Sequence, residues 1–415
     1  MPDISRRQFG KQFGSSLVLA GAGVRYVRAA TAGVGQTLES SLQQHKIPAA
    51  VAMAATSSKI IYTGAFGKRD SKSGVAVTPD SIFSIASMTK PVTSVAAMQL
   101  VEQGKLQLEE PASKYIPELG SLQVLHGFDP GTGKPILKPA TNPVTLRRLL
   151  THTSGFVYDT WDADLLRYEK ASGTGPSGGV APLTPLMFEP GTRWQYGTSA
   201  DWTGRLVETV SGLTLEQYFQ KNILGPLEMH DTSFLMPEAK FDRLVTGYSR
   251  QHPPNGPLTE NRRALPKPPK AFNGGGGLYS TAPDYVRFMQ MILRRGRAPS
   301  GQQILQPLTV DMMATNQIGE LNAGKLNSVR PDISSDVDFH PGFKDGWGFG
   351  FLINATAYEG RRSAGSLAWA GVANTYFWID PHKDVAGVIM MQFLPFADKE
   401  AVAVLGDFER SVYAS

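Results

Sequence analysis

The sequence predicts an α+β protein: an antiparallel sheet flanked by helices, assembled from both ends of the chain, with a mainly helical domain inserted between the two parts. Three observations predict it. Two strand-like runs, AAVAMAAT (49–56) and IIYTGAFG (60–67), sit near the start, joined by the polar turn Ser57-Ser58-Lys59. Four more, WGFGFLI (347–353), SLAWAG (366–371), NTYFWID (374–380) and VAGVIMMQF (385–393), sit near the end. Between them lie helical pieces, clearest at 146–150 and 202–210, separated by long Pro- and Gly-rich stretches. A sheet whose strands come from distant parts of the chain makes the segment between them an insertion.

Taken in order, the chain opens MPDISRRQFGKQFGSSLVLAGAGVRYVRAATAG. Ser5-Arg6-Arg7-Gln8-Phe9-Gly10-Lys11 is followed by an apolar stretch from Phe13 to Val24, too short to span a bilayer, and then by the small residues Ala30-Thr31-Ala32. That order reads as a twin-arginine export signal, with a basic tail or a first helix as the plainer alternative. Residues 1–32 are therefore expected to be a leader, the export machinery a partner, and the remainder periplasmic or secreted without a stable membrane anchor. Arg6, Arg7, Lys11, Arg25 and Arg28 against Asp3 place nearly all of the net charge of +5 in this leader. The rest is close to neutral, which gives no support to a nucleic-acid partner.

Residues 36–45 read as an amphipathic helix ahead of the first strand. A helix follows Pro91, another covers 282–294, and a last one covers 399–413. The expected organisation is a sheet domain from 33–100 and 273–415, with the helical insertion at 101–272. Asn273-Gly274-Gly275-Gly276-Gly277 lacks the Gly-Lys-Ser/Thr ending of a phosphate loop, so a backbone turn packed tightly against a neighbour is the better reading. The apolar share of 41% is enough for a large core. The absence of cysteine excludes disulfides, thiolate nucleophiles and zinc–thiolate sites. The seven histidines show no His-x-x-x-His spacing, so no metal and no cofactor are expected.

Two serines compete as nucleophile. Ser177, in Gly175-Pro176-Ser177-Gly178-Gly179, matches the Gly-x-Ser-x-Gly elbow, but no apolar strand precedes it and a proline soon follows. Ser87 sits three residues before Lys90 at the head of a helical pattern, so a lysine amine could reach its hydroxyl. By itself, Ser87-Met88-Thr89-Lys90 could equally be a serine N-cap with Pro91 in the first turn.

The wider sequence resembles the serine β-lactamase and penicillin-binding-protein superfamily, most closely the family VIII carboxylesterases and class C β-lactamases. The resemblance covers most of 36–412. Besides Ser87 to Lys90 it rests on LLTHTSGF (149–156), FEPGTRWQYGTSADWTGRLVETVSG (188–212), LGPLEMHDTSF (224–234), NGGGGLYSTAPDYVRFMQMIL (273–293) and Trp369-Ala370-Gly371. It implies a β-lactamase/transpeptidase-like fold. It also implies Ser87 as nucleophile, Lys90 as its proton partner, Tyr196 as the phenol that relays the proton to the leaving group, and an oxyanion hole of the Ser87 and Val372 main-chain N–H groups. Thr198, Trp369, Ala370 and Gly371 would meet the substrate. In the lactamase pattern the third motif is usually Lys-Thr-Gly and the second carries an asparagine where Thr198 stands here. Both changes make the pocket less polar.

The function implied is hydrolysis of short-chain carboxylic esters through an acyl-enzyme on Ser87, with a small ester as partner. A β-lactamase or D,D-peptidase acting on β-lactams or cell-wall peptides is the alternative within the same fold. A catalytically silent sensor domain is the alternative from another class. The leader reading is checked by replacing Arg6 and Arg7 together with lysine: unprocessed precursor should accumulate in the cytoplasm, and normal export of that variant would refute it.

Overall fold

A computed structural model describes residues 32–173 and 183–415. The expected leader, except its last residue, and Ser177 lie outside the described residues. The centre is a seven-stranded sheet made of β1 (Ala49–Ala55), β2 (Ile60–Gly67), β3 (Asp345–Trp347), β4 (Leu352–Asn354), β5 (Leu367–Gly371), β6 (Thr375–Asp380) and β7 (Val385–Met390). Their spatial order is β3-β4-β5-β6-β7-β1-β2. Every neighbouring pair is antiparallel. The last long strand meets the first: Val51 lies opposite Met390 on one side and Ala65 on the other. The two ends of the chain thus close one sheet, as the divided strand pattern implied.

All seven residues of β1 are buried, which is why its sequence is unbroken apolar rather than alternating. One face is covered by α1 (Ala32–Gln44) and α5 (Lys399–Ala414), which pack on each other. The other face is covered by α4 (Ala282–Leu293), which lies against β1, β6 and β7. Apart from the sheet, α2 (Thr89–Glu102) packs against α3 (Ser199–Ser211). Thr89 to Leu100 are all buried, so α2 is a core helix and not an amphipathic surface one.

The expected single strand at 347–353 is two strands, β3 and β4, joined by a tight turn in which the Gly348 N–H donates to the Phe351 carbonyl at 2.9 Å. Gly350 there has φ of +95°, a conformation closed to residues with a Cβ, and this is what converts an alternating Gly-Phe pattern into a hairpin. Nor is the 101–272 segment helical throughout. Gln123–Phe128 pairs with Pro135–Pro139, and Tyr248–Arg250 pairs with both Leu258–Glu260 and Phe393–Leu394. The Asp129 carboxylate, accepting from the Thr132 N–H at 2.7 Å, closes the first of these hairpins.

One buried ion pair ties α5 to the sheet edge. Arg362 donates through Nε and one terminal nitrogen to the two Glu409 oxygens, each at 2.8 Å, and both residues are buried. Burial alone would raise the Glu409 carboxyl, but the charge and hydrogen bonds of Arg362 hold it below the ordinary carboxylate range. A depressed acid contributes stability above its unfolded value and loses it as pH falls through the folded one. Glu409→Gln should therefore cost about 3–5 kcal/mol at neutral pH, because Arg362 is left buried without a counter-charge. In thermal or denaturant unfolding the gap from the parent should narrow in acid.

Candidate active site

Ser87 lies in a 3₁₀ turn, Ala86–Met88, that runs directly into α2. It is not the helix cap: Met88 holds that position, and no side chain caps the helix. Ala86, just before it, has φ of +43°, which costs a residue with a Cβ about 1–2 kcal/mol. Neighbouring segments hold the turn in place. The Ile85 N–H donates to the Leu278 carbonyl at 3.0 Å, the Leu278 N–H to Thr89 Oγ1 at 3.3 Å, and the Tyr285 hydroxyl to the Met88 carbonyl at 2.9 Å. The result presents a half-buried Ser87 hydroxyl at the N-terminal end of a buried helix, where peptide dipoles favour developing negative charge.

Lys90, one turn on, is buried at 1% exposure. Its Nζ donates to Ser87 Oγ at 3.1 Å, to Tyr158 Oη at 3.1 Å and to the Gly275 carbonyl at 2.7 Å. An ammonium has three protons, so each has an acceptor, and the acceptors come from three separate segments.

The third acceptor explains the glycine run, which threads between α2 and α3. Gly274 accepts from Thr93 Oγ1 at 2.7 Å, and the Gly275 N–H donates to Asp201 Oδ1 at 2.9 Å. A Cβ on Gly274 would stand 2.3 Å from the Ala200 carbonyl oxygen, and one on Gly275 would stand 2.5 Å from Asp201 Oδ1. Only backbone fits in that gap.

Tyr196 is buried just before α3, in a cage of rings. His152 and Trp369 each lie 4.8 Å away, Tyr158 5.4 Å and Trp161 5.5 Å, between ring centroids. Lys90 Nζ sits 4.6 Å from the centre of the Tyr196 ring. The Trp369 indole N–H donates to Tyr196 Oη at 3.1 Å. Trp369 is thus buried behind the phenol, whereas the resemblance implies that it meets substrate. The Gly197 N–H donates to His152 Nδ1 at 3.3 Å, so that nitrogen is an acceptor. Burial, followed by the charge of Lys90, holds His152 well below its ordinary range, and it stays neutral.

Of the remaining residues, Thr198 is half-buried and holds the N-cap position of α3, though its side chain makes no capping hydrogen bond. Ala370 and Gly371 are buried in β5, opposite Tyr376 and Thr375. A Cβ on Gly371 would stand 2.3 Å from the Ile85 carbonyl oxygen, so the glycine lets the end of β5 lie against the turn that carries Ser87. Val372 follows in the next turn, half-buried. Neither its N–H nor that of Ser87 donates to a protein acceptor among the described residues.

Two further residues belong to this cluster and were not singled out from sequence. Tyr158 receives a Lys90 hydrogen bond, and its hydroxyl faces Asp201, which is buried on α3. Burial, and then the Asp201 charge, hold the Tyr158 phenol well above its ordinary value, so it stays protonated. Burial pushes the Asp201 carboxyl up to about 6, against the pull of the Lys90 charge and of the Gly275 and Tyr158 hydrogen bonds. Both residues lie within or next to the segments that carried the family resemblance, and that nearness was the only sequence signal for them.

The sequence profile of the family described as Beta-lactamase matches residues 34–407. The chain belongs to the Beta-lactamase family. Monacolin J acid methylbutanoyltransferase of Aspergillus terreus is 30% identical, over 90% of this chain and 93% of its own. Lovastatin esterase of Penicillium rubens is 31% identical, over 91% and 97%. The unliganded structure of simvastatin synthase from Aspergillus terreus superposes with a TM-score of 0.77 at 27% identity, covering 93% of this chain and 98% of that one. The fold is β-lactamase/transpeptidase-like, and the chain is a member of the serine hydrolase and acyltransferase class.

Because the glycine strap supplies one of the three Lys90 acceptors, Gly274→Ala should displace it from α3. The expected cost is about 1–3 kcal/mol of stability, together with at least a tenfold fall in turnover. Thermal melting combined with an ester assay checks both, and unchanged turnover would separate the strap from catalysis.

Proposed function

We infer that this Beta-lactamase family member is a serine ester hydrolase that forms an acyl-enzyme on Ser87. The observation that carries the reading is the 3.1 Å contact from Lys90 Nζ to Ser87 Oγ at a half-open turn. Ser87 Oγ attacks the ester carbonyl carbon as its proton passes to Lys90. The carbonyl oxygen becomes an oxyanion that the Ser87 and Val372 N–H groups receive. Tyr196 accepts from Trp369, so its own hydroxyl proton is directed away from the indole and toward the departing alcohol. Water then attacks the acyl-enzyme by the reverse path.

A less polar pocket suits an uncharged ester. With Trp369 rather than a lysine in the third motif, no cation there pairs with a carboxylate such as that of a β-lactam. This disfavours the lactamase and D,D-peptidase readings, and the Ser87–Lys90 contact argues against a silent sensor. A second reading, transfer of the acyl group to an alcohol in place of water, is supported by the methylbutanoyltransferase among the relatives. Both reactions share the acyl-enzyme and differ only in the acceptor.

The parent protein should release p-nitrophenol from short-chain p-nitrophenyl esters and leave a chromogenic cephalosporin essentially intact. A fluorophosphonate probe should label Ser87, and Ser87→Ala should abolish both turnover and labelling. Adding a primary alcohol should divert product from acid to ester if acyl transfer operates. Labelling at another residue, or cephalosporin turnover exceeding ester turnover, would overturn the reading.

A further inference from the structure

The proposed mechanism requires Lys90 to take a proton, yet the structure surrounds its Nζ with three acceptors, an arrangement suited to an ammonium with nothing left to take. A buried ammonium also needs a buried opposite charge. Asp201 provides it from α3, with Tyr158 in line: Lys90 donates to Tyr158 Oη, and the Tyr158 hydroxyl faces the Asp201 carboxylate.

Resting on the ester-hydrolase reading, the geometry points to Asp201 and Tyr158 as a proton store that turns Lys90 into a base. A proton moves from Lys90 Nζ to Tyr158 Oη while the Tyr158 hydroxyl proton moves to Asp201. This leaves a neutral amine, an intact phenol and a neutral carboxylic acid. The amine then takes the Ser87 proton as Oγ bonds to the acyl carbon. Lys90 becomes an ammonium again; the leaving alcohol takes the Tyr196 hydroxyl proton, and the Lys90 ammonium beside that ring restores it. When the alcohol has gone, the store returns to its starting state. Charge is conserved at each step, and no proton is drawn from solvent.

Several features fit such a store. Asp201 is 5% exposed, so it exchanges protons with its neighbours more readily than with water. Its Oδ1 is fixed by the Gly275 N–H at 2.9 Å, and the neighbouring Gly275 carbonyl holds Lys90 at 2.7 Å, so one residue of the strap sets the spacing of both ends. Around Asp201 the titratable and charged groups are Lys90 on α2 and Tyr158 on the 151–161 segment. Tyr196 and His152 stand in the next shell, the latter neutral. Burial places the Asp201 carboxyl near 6, within reach of a pH profile, whereas an ordinary aspartate titrates far below. Asp201 and Tyr158 act through Lys90 and are positioning residues.

The test uses the full-length protein and p-nitrophenyl ester kinetics from pH 5 to 9. The parent should lose kcat as pH falls through about 6, because a protonated Asp201 cannot accept from Lys90. Asp201→Asn keeps an oxygen for the Gly275 N–H. It should lower kcat by about a hundredfold at pH 7 with KM within a few-fold, and the limb near 6 should give way to a rate still rising at high pH. Tyr158→Phe should lose a similar factor and the same limb, and the double variant should be no worse than a few-fold below either single one. Tyr158→Phe carries the same test if Asp201→Asn fails to fold, as thermal melting reveals. A parent-shaped profile in either folded variant, merely scaled down, would reduce the pair to a structural role, and multiplicative losses in the double variant would deny that they act as a unit. Failure of the parent to hydrolyse esters or to be labelled at Ser87 would instead overturn the ester-hydrolase reading beneath it.

Discussion

Everything at the centre of this molecule is arranged around one buried amine. Lys90 cannot lie in a protein interior unless each of its protons has an acceptor, and its acceptors are contributed by the turn before α2, the 151–158 segment and the glycine strap. Satisfying that side chain therefore forces three separate segments to converge at a few ångströms. The same convergence places a serine hydroxyl at the open end of a buried helix. A lone buried lysine would be a large destabilising feature; here it is what fixes the geometry of the site.

The second constraint is close approach of backbone to backbone. Gly274 against Ala200, Gly371 against Ile85 and Gly197 against Phe156 are all places where a methyl group would meet a carbonyl oxygen at 2.2 or 2.3 Å. Each lies beside a residue of the site: the strap beside Lys90 and Asp201, the end of β5 beside the Ser87 turn, the loop beside Tyr196. Small residues at these points bring side chains from different layers within hydrogen-bond range, which explains why the glycines sit inside the same short blocks as the reactive groups.

The aromatic cage around Tyr196 serves a different purpose. Rings on several sides exclude water from the phenol and leave the Trp369 indole as its donor. In a site of low polarity a hydrogen bond to a developing charge is stronger than it would be in water, and a small number of fixed dipoles suffices. The tryptophan of the third motif is therefore buried against the tyrosine it touches, and in the proposed reaction it acts through that tyrosine. In the proposed reaction an acyl group on Ser87 would pass to whichever acceptor reaches it, so hydrolysis and acyl transfer would differ in access more than in chemistry.

Much of this was legible in the residues alone. Unbroken apolar runs near both ends of the chain determined that the strands lie in one buried sheet, because a strand covered on both faces has no reason to alternate. Ser87 and Lys90, three apart at a helix start, determined that a hydroxyl and an amine would share a face. The turn at Gly350 was harder to see, since an alternating Gly-Phe pattern looks like a strand until the backbone shows its left-handed φ. Tyr158 and Asp201 could not be assigned from sequence, because neither carries a spacing of its own and each matters through partners distant in the chain: Lys90 lies 68 residues from Tyr158, and Gly275 lies 74 from Asp201. Which phenol lies against the lysine, and which carboxylate balances it, is decided by how α2, α3 and the glycine strap pack together. Local pattern specifies faces and turns; only tertiary contact specifies which charges must neutralise one another.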